Sequence, residues 1–252
     1  MVTTRGFRGP SYTLLTPANH FVSRLPALPG ASVIKLVTPR LAPSRIAQYL
    51  IAFGADPAVE PGEARSIQWR VLAGYESFFF ALEAGASLAW DGMAGLRLSP
   101  RSYAYVPAAM PFTLRGDPGA RVLWIKRRYQ PWPGLEEPVV TWGSADEVVA
   151  TETPTPGLRR RELIDPRDPR YDLNMSLLSF DPGVGLPQVE IHDEEHGLYM
   201  TAGGGIYTLE RDEYAVSRDD FIYMAPYCPQ GFASGASGAE YLLYKDVHRD
   251  GF

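Results

Sequence analysis

His196-Gly197-Leu198-Tyr199-Met200-Thr201-Ala202-Gly203 echoes a segment 118 residues earlier, Phe78-Phe79-Phe80-Ala81-Leu82-Glu83-Ala84-Gly85. The same offset carries Tyr105 onto Tyr223 and Pro111 onto Pro229, and one residue of slip later Leu123-Trp124-Ile125-Lys126 meets Leu242-Leu243-Tyr244-Lys245. A period this long, present twice, means two copies of one domain rather than a solenoid of short repeats. Within each copy, short runs rich in Val, Ile, Tyr, Phe and Leu are bounded by Gly, Pro or Asp, the signature of strands joined by tight turns. The strands expected are Ser32–Val37, Ser77–Leu82, Tyr103–Val106, Arg121–Ile125, Met175–Phe180, Gly205–Leu209, Phe221–Met224 and Tyr241–Tyr244. Leu41–Phe53 is the best short helical pattern and reads equally well as a strand. The chain therefore reads as all-β, a barrel or sandwich in each half. The joint is placed at 140–169, where acidic, Pro-rich and Arg-rich residues crowd together, giving an N-terminal domain of residues 1–150 and a C-terminal domain of 151–252.

The composition of the 252 residues sets limits on function. A hydrophobic share of 45% and a charged share of 21% are those of an ordinary globular protein. With 24 Lys and Arg against 29 Asp and Glu the net charge is −5, which argues against nucleic acid or an anionic membrane as partner. No apolar run approaches the roughly 20 residues that span a bilayer. A single cysteine, Cys228, cannot form an internal disulfide, and 1–10 lacks the apolar core of a signal peptide, so a cytoplasmic protein is expected.

The chemistry concentrates just before the second copy of the repeat, in Glu190-Ile191-His192-Asp193-Glu194-Glu195-His196. Two of the four histidines fall four residues apart there, with a carboxylate two before the first. On a strand Glu190 and His192 would share a face, and a bend after His192 would return His196 to it. Two imidazoles and a carboxylate converging on one point suit a divalent transition metal. In the first copy the offset puts Leu72, Gly74 and Phe78 at these positions, none of which binds metal, so the chemistry belongs to the C-terminal half. Glu194 and Glu195 flank the motif and read as solvent-facing turn residues, with a general-base role the competing reading. His20 and His248 carry no motif. Cys228 reads as a small packing residue, and Lys126, with Arg127 and Arg128, as structural or interfacial.

Two β-barrel repeats with a metal cluster of this kind resemble the bicupins, two cupin (double-stranded β-helix, jelly-roll) barrels in tandem. Cupins usually carry G(x5)HxH(x3,4)E(x6)G followed by a second motif ending in His. Here the first motif is Glu190-x-His192-(x3)-His196-(x6)-Gly203, with a carboxylate and a histidine exchanged. The second is Asp219-(x5)-Ala225-x-Tyr227-(x2)-Gln230, with Gln230 in place of the last His. This set resembles the (S)-ureidoglycine aminohydrolase family of purine (allantoin) catabolism. Asp172-Leu173-Asn174-Met175-Ser176-Leu177-Leu178-Ser179-Phe180, Glu195-His196-Gly197, Ile206-Tyr207 and Tyr244-Lys245-Asp246 agree with it, as do Leu14-Leu15-Thr16-Pro17 and Lys126-Arg127-Arg128-Tyr129. Asp219, where that family has glycine, departs from it, and the loop between Gln230 and Lys245 is slightly short.

The resemblance implies Glu190, His192, His196 and Gln230 as ligands of Mn²⁺, a mixed N/O set suited to a hard ion, although another divalent metal could occupy it in isolated protein. It further implies Lys245 as the anchor of a substrate carboxylate, Tyr207 and Tyr241 as substrate contacts, and Glu190 and Lys245 as the catalytic groups. The expected activity is hydrolytic deamination of (S)-ureidoglycine to (S)-ureidoglycolate and ammonia by a homo-oligomer acting on a small amino-acid-like substrate. The competing readings are another metal-cupin enzyme, such as an Fe²⁺ dioxygenase or an isomerase, and a non-catalytic ligand-binding bicupin.

Overall fold

The computed structural model describes residues 6–23, 31–41, 43–54, 66–69, 74–108 and 110–247. Twenty strands run through them: β1 (Phe7–Arg8), β2 (Tyr12–Leu15), β3 (Val22–Ser23), β4 (Ala31–Val37), β5 (Ile46–Phe53), β6 (Ser66–Trp69), β7 (Tyr75–Glu83), β8 (Ala86–Trp90), β9 (Met93–Leu98), β10 (Ser102–Val106), β11 (Phe112–Gly116), β12 (Arg121–Arg128), β13 (Thr141–Ser144), β14 (Thr151–Glu152), β15 (Leu158–Glu162), β16 (Leu173–Phe180), β17 (His196–Leu209), β18 (Asp212–Ser217), β19 (Phe221–Met224) and β20 (Gln230–Asp246). The one helical element among the described residues is a 3-10 turn at Pro17–Asn19, and none of their helices is long and apolar enough to cross a membrane. The fold is all-β, as the turn-punctuated aromatic and β-branched runs require. Leu41–Phe53, ambiguous in sequence, resolves into the strand β5.

The chain divides into two compact units, 1–20 with 41–44 and 148–252, and 21–40 with 45–147. The boundary near residue 148 falls within the expected joint, but the N-terminus departs from a simple cut at residue 150. β2 pairs with β19, Leu15 opposite Phe221, and Leu14 is wholly buried in the core of the C-terminal unit. There the strand's backbone is hydrogen-bonded and its apolar side chains are buried.

The C-terminal unit holds one sheet in the order β1-β2-β19-β17-β20-β16-β15-β14, with β18 on β17. The other unit holds a sheet β13-β10-β7-β12-β5-β4-β3 and a smaller one β6-β11-β8-β9. Every pairing is antiparallel, so each strand presents alternate residues to an apolar interior. In the N-terminal unit that interior is Phe79, Phe112 and Trp124 with Val33, Ile51 and Leu114.

The hydrogen-bond register shows the two-fold repeat and corrects its alignment. In β10 and β19 the offset of 118 holds: Ser102 N–H donates to Ser99 O and Asp220 N–H to Ser217 O. Arg101 and Asp219, one residue earlier, both have left-handed φ, 67° and 73°. That conformation explains the glycine expected at Asp219; aspartate is among the few side chains that tolerate it. In β7, however, the offset is 119, because Lys126 lies opposite Ser77 as Lys245 lies opposite His196. Ser77, and not Phe78, is therefore the counterpart of His196. A sequence match dominated by aromatic residues slips easily by one; a ladder of backbone bonds does not. Gly74 is a turn glycine at φ 90°, and Leu72 lies outside the described residues. A buried Tyr–Glu pair recurs at the same offsets. Tyr105 O–H donates to Glu76 Oε2 at 2.6 Å, and Tyr223 O–H to Glu195 Oε2 at 3.1 Å.

β17 and β20 are the longest strands, 14 and 17 residues. Their pairing shifts register between Met200 and Ala202 and again between Gly203 and Gly205. At the second break Gly203 faces Ala239 and Gly205 faces Ser234, so Gly235-Ala236-Ser237-Gly238 is the extra length that turns a corner. A Cβ on Gly205 would stand 2.1 Å from Ala233 O and one on Gly204 2.3 Å from Val216 O. The backbones close at this corner only because those residues have no side chain. Gly205→Ala should accordingly destabilise the protein by about 2 kcal/mol or more, the scale of forced overpacking. Urea unfolding would read this as a lower midpoint, and an unchanged midpoint would contradict the corner as described.

Candidate metal and substrate site

Gln230 begins β20 and Lys245 nearly ends it, which in a straight strand is roughly 50 Å at about 3.3 Å per residue. Both line one cavity of about 260 Å³ in the C-terminal unit. The corner built from glycines brings them together. Glu190, His192, His196, Tyr207 and Tyr241 line the same cavity, so all seven residues singled out in the sequence meet at one place. The volume suits a small metabolite rather than an extended ligand.

The two ends of the motif are held differently. His196 opens β17, buried, with Lys245 as its cross-strand neighbour. Glu190 and His192 do not lie on a regular strand as expected. Glu190 makes an isolated bridge with Gln230, N–H to O in both directions at 2.8 and 2.9 Å. His192 follows in an irregular loop pinned by Tyr227 N–H donating to His192 O at 2.5 Å. The bridge places two expected ligands side by side although they are distant in the chain.

Burial first, then the nearby charges of Lys245 and His192, push the His196 imidazole down to about 3, so it is neutral across the physiological range. Its Nδ1 lies 3.0 Å from Glu194 O. A carbonyl can only accept, so Nδ1 carries the proton and Nε2 keeps its lone pair, the tautomer a metal ligand needs. His192 Nε2 and Glu190 Oε2 are 3.2 Å apart. Two donors about 2.1 Å from one ion at a right angle would be about 3 Å apart, so this separation is that of neighbouring ligands. The His192 and His196 rings lie 5.1 Å apart, tilted 31°. Tyr207 O–H donates to Gln230 Oε1 at 3.3 Å, which fixes the amide oxygen on that side and leaves a second lone pair. The donor types thus suit a divalent ion, and Glu190 and His192 already stand at the separation of neighbouring ligands. Among the described residues, though, no three His, Cys, Asp or Glu side chains are already gathered tightly enough to hold one.

The remaining polar groups differ from expectation in two places. Glu194 and Glu195 are not turn residues in water. Glu194 is half-buried and its Oε1 is 2.9 Å from Lys245 Nζ. Burial pushes its carboxyl up, but the hydrogen bond and charge of Lys245 outweigh that and the net shift is downward. Glu195 is buried, taking the Tyr223 hydroxyl and giving its N–H to Asp246 Oδ1 at 3.1 Å. Its spacing within the motif gave no sign of this, because the partners come from other strands. Tyr207 and Tyr241 belong both to the aromatic core and to the cavity wall. Phe232 lies 5.6 Å from Tyr207 and 5.7 Å from Tyr241, and burial raises both phenols far above their usual range.

Outside the cavity, Cys228 is buried with its thiol pushed up to about 11, a packing residue rather than a nucleophile. In the other unit Lys126 rests over Trp124 and Tyr49, 5.1 and 5.5 Å from their centroids, and Arg127 is buried against Glu76. His248 lies outside the described residues. Sequence reasoning passed over Arg160, Asn174 and Ser176, which also line the cavity. The alternation of β15 and β16 was the signal available for them.

No family model matches the chain. It is 32% identical over 250 residues to "Probable (S)-ureidoglycine aminohydrolase" of Oryza sativa subsp. japonica, covering 98% of this chain and 76% of the relative. It is 31% identical over 250 residues to "(S)-ureidoglycine aminohydrolase" of Arabidopsis thaliana, covering 98% and 79%. The crystal structure of protein Ylba from E. coli superposes with a TM-score of 0.84 at 26% identity, covering 98% of this chain and 96% of that one. A cupin 2 conserved barrel domain protein from Leptotrichia buccalis, at TM-score 0.65 and 11% identity over 93% and 96% of the two chains, shows the cupin fold.

The buried neutral His196 sets a pH dependence of stability. Its folded pKa is depressed, so between about 6.5 and about 3 the unfolded chain binds the extra proton. Acid therefore favours unfolding through that window. In metal-free protein the stability of the parent relative to His196→Gln should be constant above about pH 6.5, fall as pH drops, and level off below about pH 3. Urea titrations of both proteins at stepped pH would show parallel curves if His196 were not buried neutral.

Proposed function

We propose that this chain, which belongs to the (S)-ureidoglycine aminohydrolase family, deaminates (S)-ureidoglycine hydrolytically to (S)-ureidoglycolate and ammonia. The observation that carries the reading is the meeting of Glu190, His192, His196 and Gln230 with Lys245 in one small cavity. Glu190, His192, His196 and Gln230 would hold a divalent ion, Mn²⁺ or Fe²⁺ on the hardness of the donors and Mn²⁺ by the family resemblance, and when bound it supplies Lewis-acid polarisation of the substrate's polar groups. Lys245 meets the substrate carboxylate, with Glu194 fixing its ammonium at the cavity wall. Glu190, its carboxylate 3.2 Å from the His192 imidazole, would hold or move a proton at the amine that leaves. Tyr207 and Tyr241 wall the site, and their phenols remain protonated donors. The enzyme would act in the cytoplasm, in purine (allantoin) catabolism, as a homo-oligomer whose assembly solution mass would test.

The direct test is ammonia release from freshly generated ureidoglycine with and without added Mn²⁺, alongside oxygen uptake. Release that depends on the metal supports the reading; no release, with oxygen consumed, would replace it with an oxygenase. His192→Ala and His196→Ala should each abolish metal retention. Lys245→Met should retain the metal and lose about tenfold to hundredfold in kcat/KM, since a charge-assisted contact contributes roughly 1.5–3 kcal/mol. Glu190→Gln should lower metal content and turnover together. Rate per bound Mn²⁺ separates these cases, and full activity in Lys245→Met would remove the carboxylate-anchor role.

A further inference from the structure

The cavity wall carries a second cation that the ligand motif does not explain. In the antiparallel ladder Arg160 lies opposite Leu178, and Leu178 opposite Tyr241. Four residues along, Asn174 lies opposite Lys245, and Lys245 opposite His196. Asn174, Ser176 and Leu178 alternate along β16 and all line the cavity, so the two rungs are on one face, about 13 Å apart along the strand. Lys245 and Arg160 therefore reach into the cavity from opposite ends.

Their pairing differs. The Lys245 ammonium is 2.9 Å from Glu194. Arg160 Nη1 is 3.5 Å from Glu162 Oε1, the side chains 43% and 29% exposed, a contact too long and too wet to hold an arginine firmly. Arg160 Nε and Glu162 Oε2 are both buried with no hydrogen-bond partner among the described residues. Burial raises the Glu162 carboxyl in spite of Arg160 and Asn174, so this acid is a weak counterion. A cavity-lining cation with a donor left over asks for a ligand acceptor. A ureido group offers one in its carbonyl.

We propose that Arg160, backed by Glu162, determines specificity by binding the substrate's ureido group at the end of the cavity opposite Lys245. This rests on the aminohydrolase reading. Arg160 gives N–H to the ureido oxygen, and its long contact with Glu162 leaves the guanidinium available to do so. With the carboxylate at Lys245 and the ureido group at Arg160, the carbon bearing the amine is fixed between them, beside Glu190 and His196.

Arg160→Met keeps the aliphatic stem on a half-exposed position, and its thermal midpoint should match the parent's. Its KM for ureidoglycine should rise about tenfold to hundredfold, the loss expected for a charge-assisted hydrogen bond, with kcat little changed and metal content intact. Two inhibitors separate the ends of the site. N-carbamoylglycine keeps the ureido group and the carboxylate, and glycolate has the carboxylate without a ureido group. The variant should lose affinity for N-carbamoylglycine by the same factor and none for glycolate. Arg160→Gln, which retains neutral donors, should recover part of the loss. An unmoved KM, or equal weakening of both inhibitors, overturns the proposal, the second outcome assigning Arg160 to the carboxylate. A parent protein that releases no ammonia from ureidoglycine overturns the aminohydrolase reading itself.

Discussion

The pairing of β17 with β20 is the constraint on which the rest of the C-terminal unit depends. Two strands of 14 and 17 residues can surround a cavity of about 260 Å³ only if both turn a corner together. The corner needs backbones closer than any side chain allows, with Ala233 O about where a Cβ of Gly205 would be. Once it is made, His196 at one end of β17 and Gln230 at the far end of β20 face the same space. The Glu190–Gln230 bridge then holds an otherwise irregular loop against that wall. Metal ligation, if it follows, inherits a geometry that the apolar core has already fixed.

The two copies of the repeat keep the same buried polar device and differ where chemistry is concerned. Each has a tyrosine hydroxyl on a buried glutamate, Tyr105 on Glu76 and Tyr223 on Glu195. In one copy Arg127 stands beside the glutamate; in the other the corresponding residue is Asp246, an acceptor for the Glu195 backbone. Such a pair costs desolvation wherever it is buried, so its recurrence marks a position at which the fold needs a satisfied polar group. At the next inward position Ser77 takes a hydrogen bond from the Trp124 indole, whereas His196 is left with a free ring nitrogen. One copy filled its interior with Phe79, Phe112 and Trp124; the other kept space and polar groups.

The cavity's charges are arranged in pairs rather than singly. Lys245 with Glu194 and Arg160 with Glu162 leave Glu190 as the carboxylate facing a neutral His196 and its neighbour His192. A wall with one net negative charge invites a divalent cation. With such an ion in place it would carry one net positive charge, the complement of a monoanionic substrate. The Lys245–Glu194 contact is close and the Arg160–Glu162 contact long, so the two cations are held unequally.

Much of this was legible in the residues. The eight strand runs read from the sequence all lie in strands, because alternating apolar residues between turn formers have few other solutions. The Glu190–His196 motif identified the polar cluster, and the long-period echo identified the duplication. What the sequence left open were relations carried by backbone hydrogen bonds between distant segments. These were the true partner of His196 in the other copy, the attachment of β2 to the C-terminal sheet, the irregular path of Glu190 and His192, and the burial of Glu195. Side-chain periodicity reports which face a residue occupies, but not which strand lies opposite. The sequence by itself therefore determined an all-β duplicated chain with its reactive residues in the second half. Only the tertiary structure decided which cations meet which acids around the cavity, because register is fixed jointly by the glycine corner and the packing of both faces.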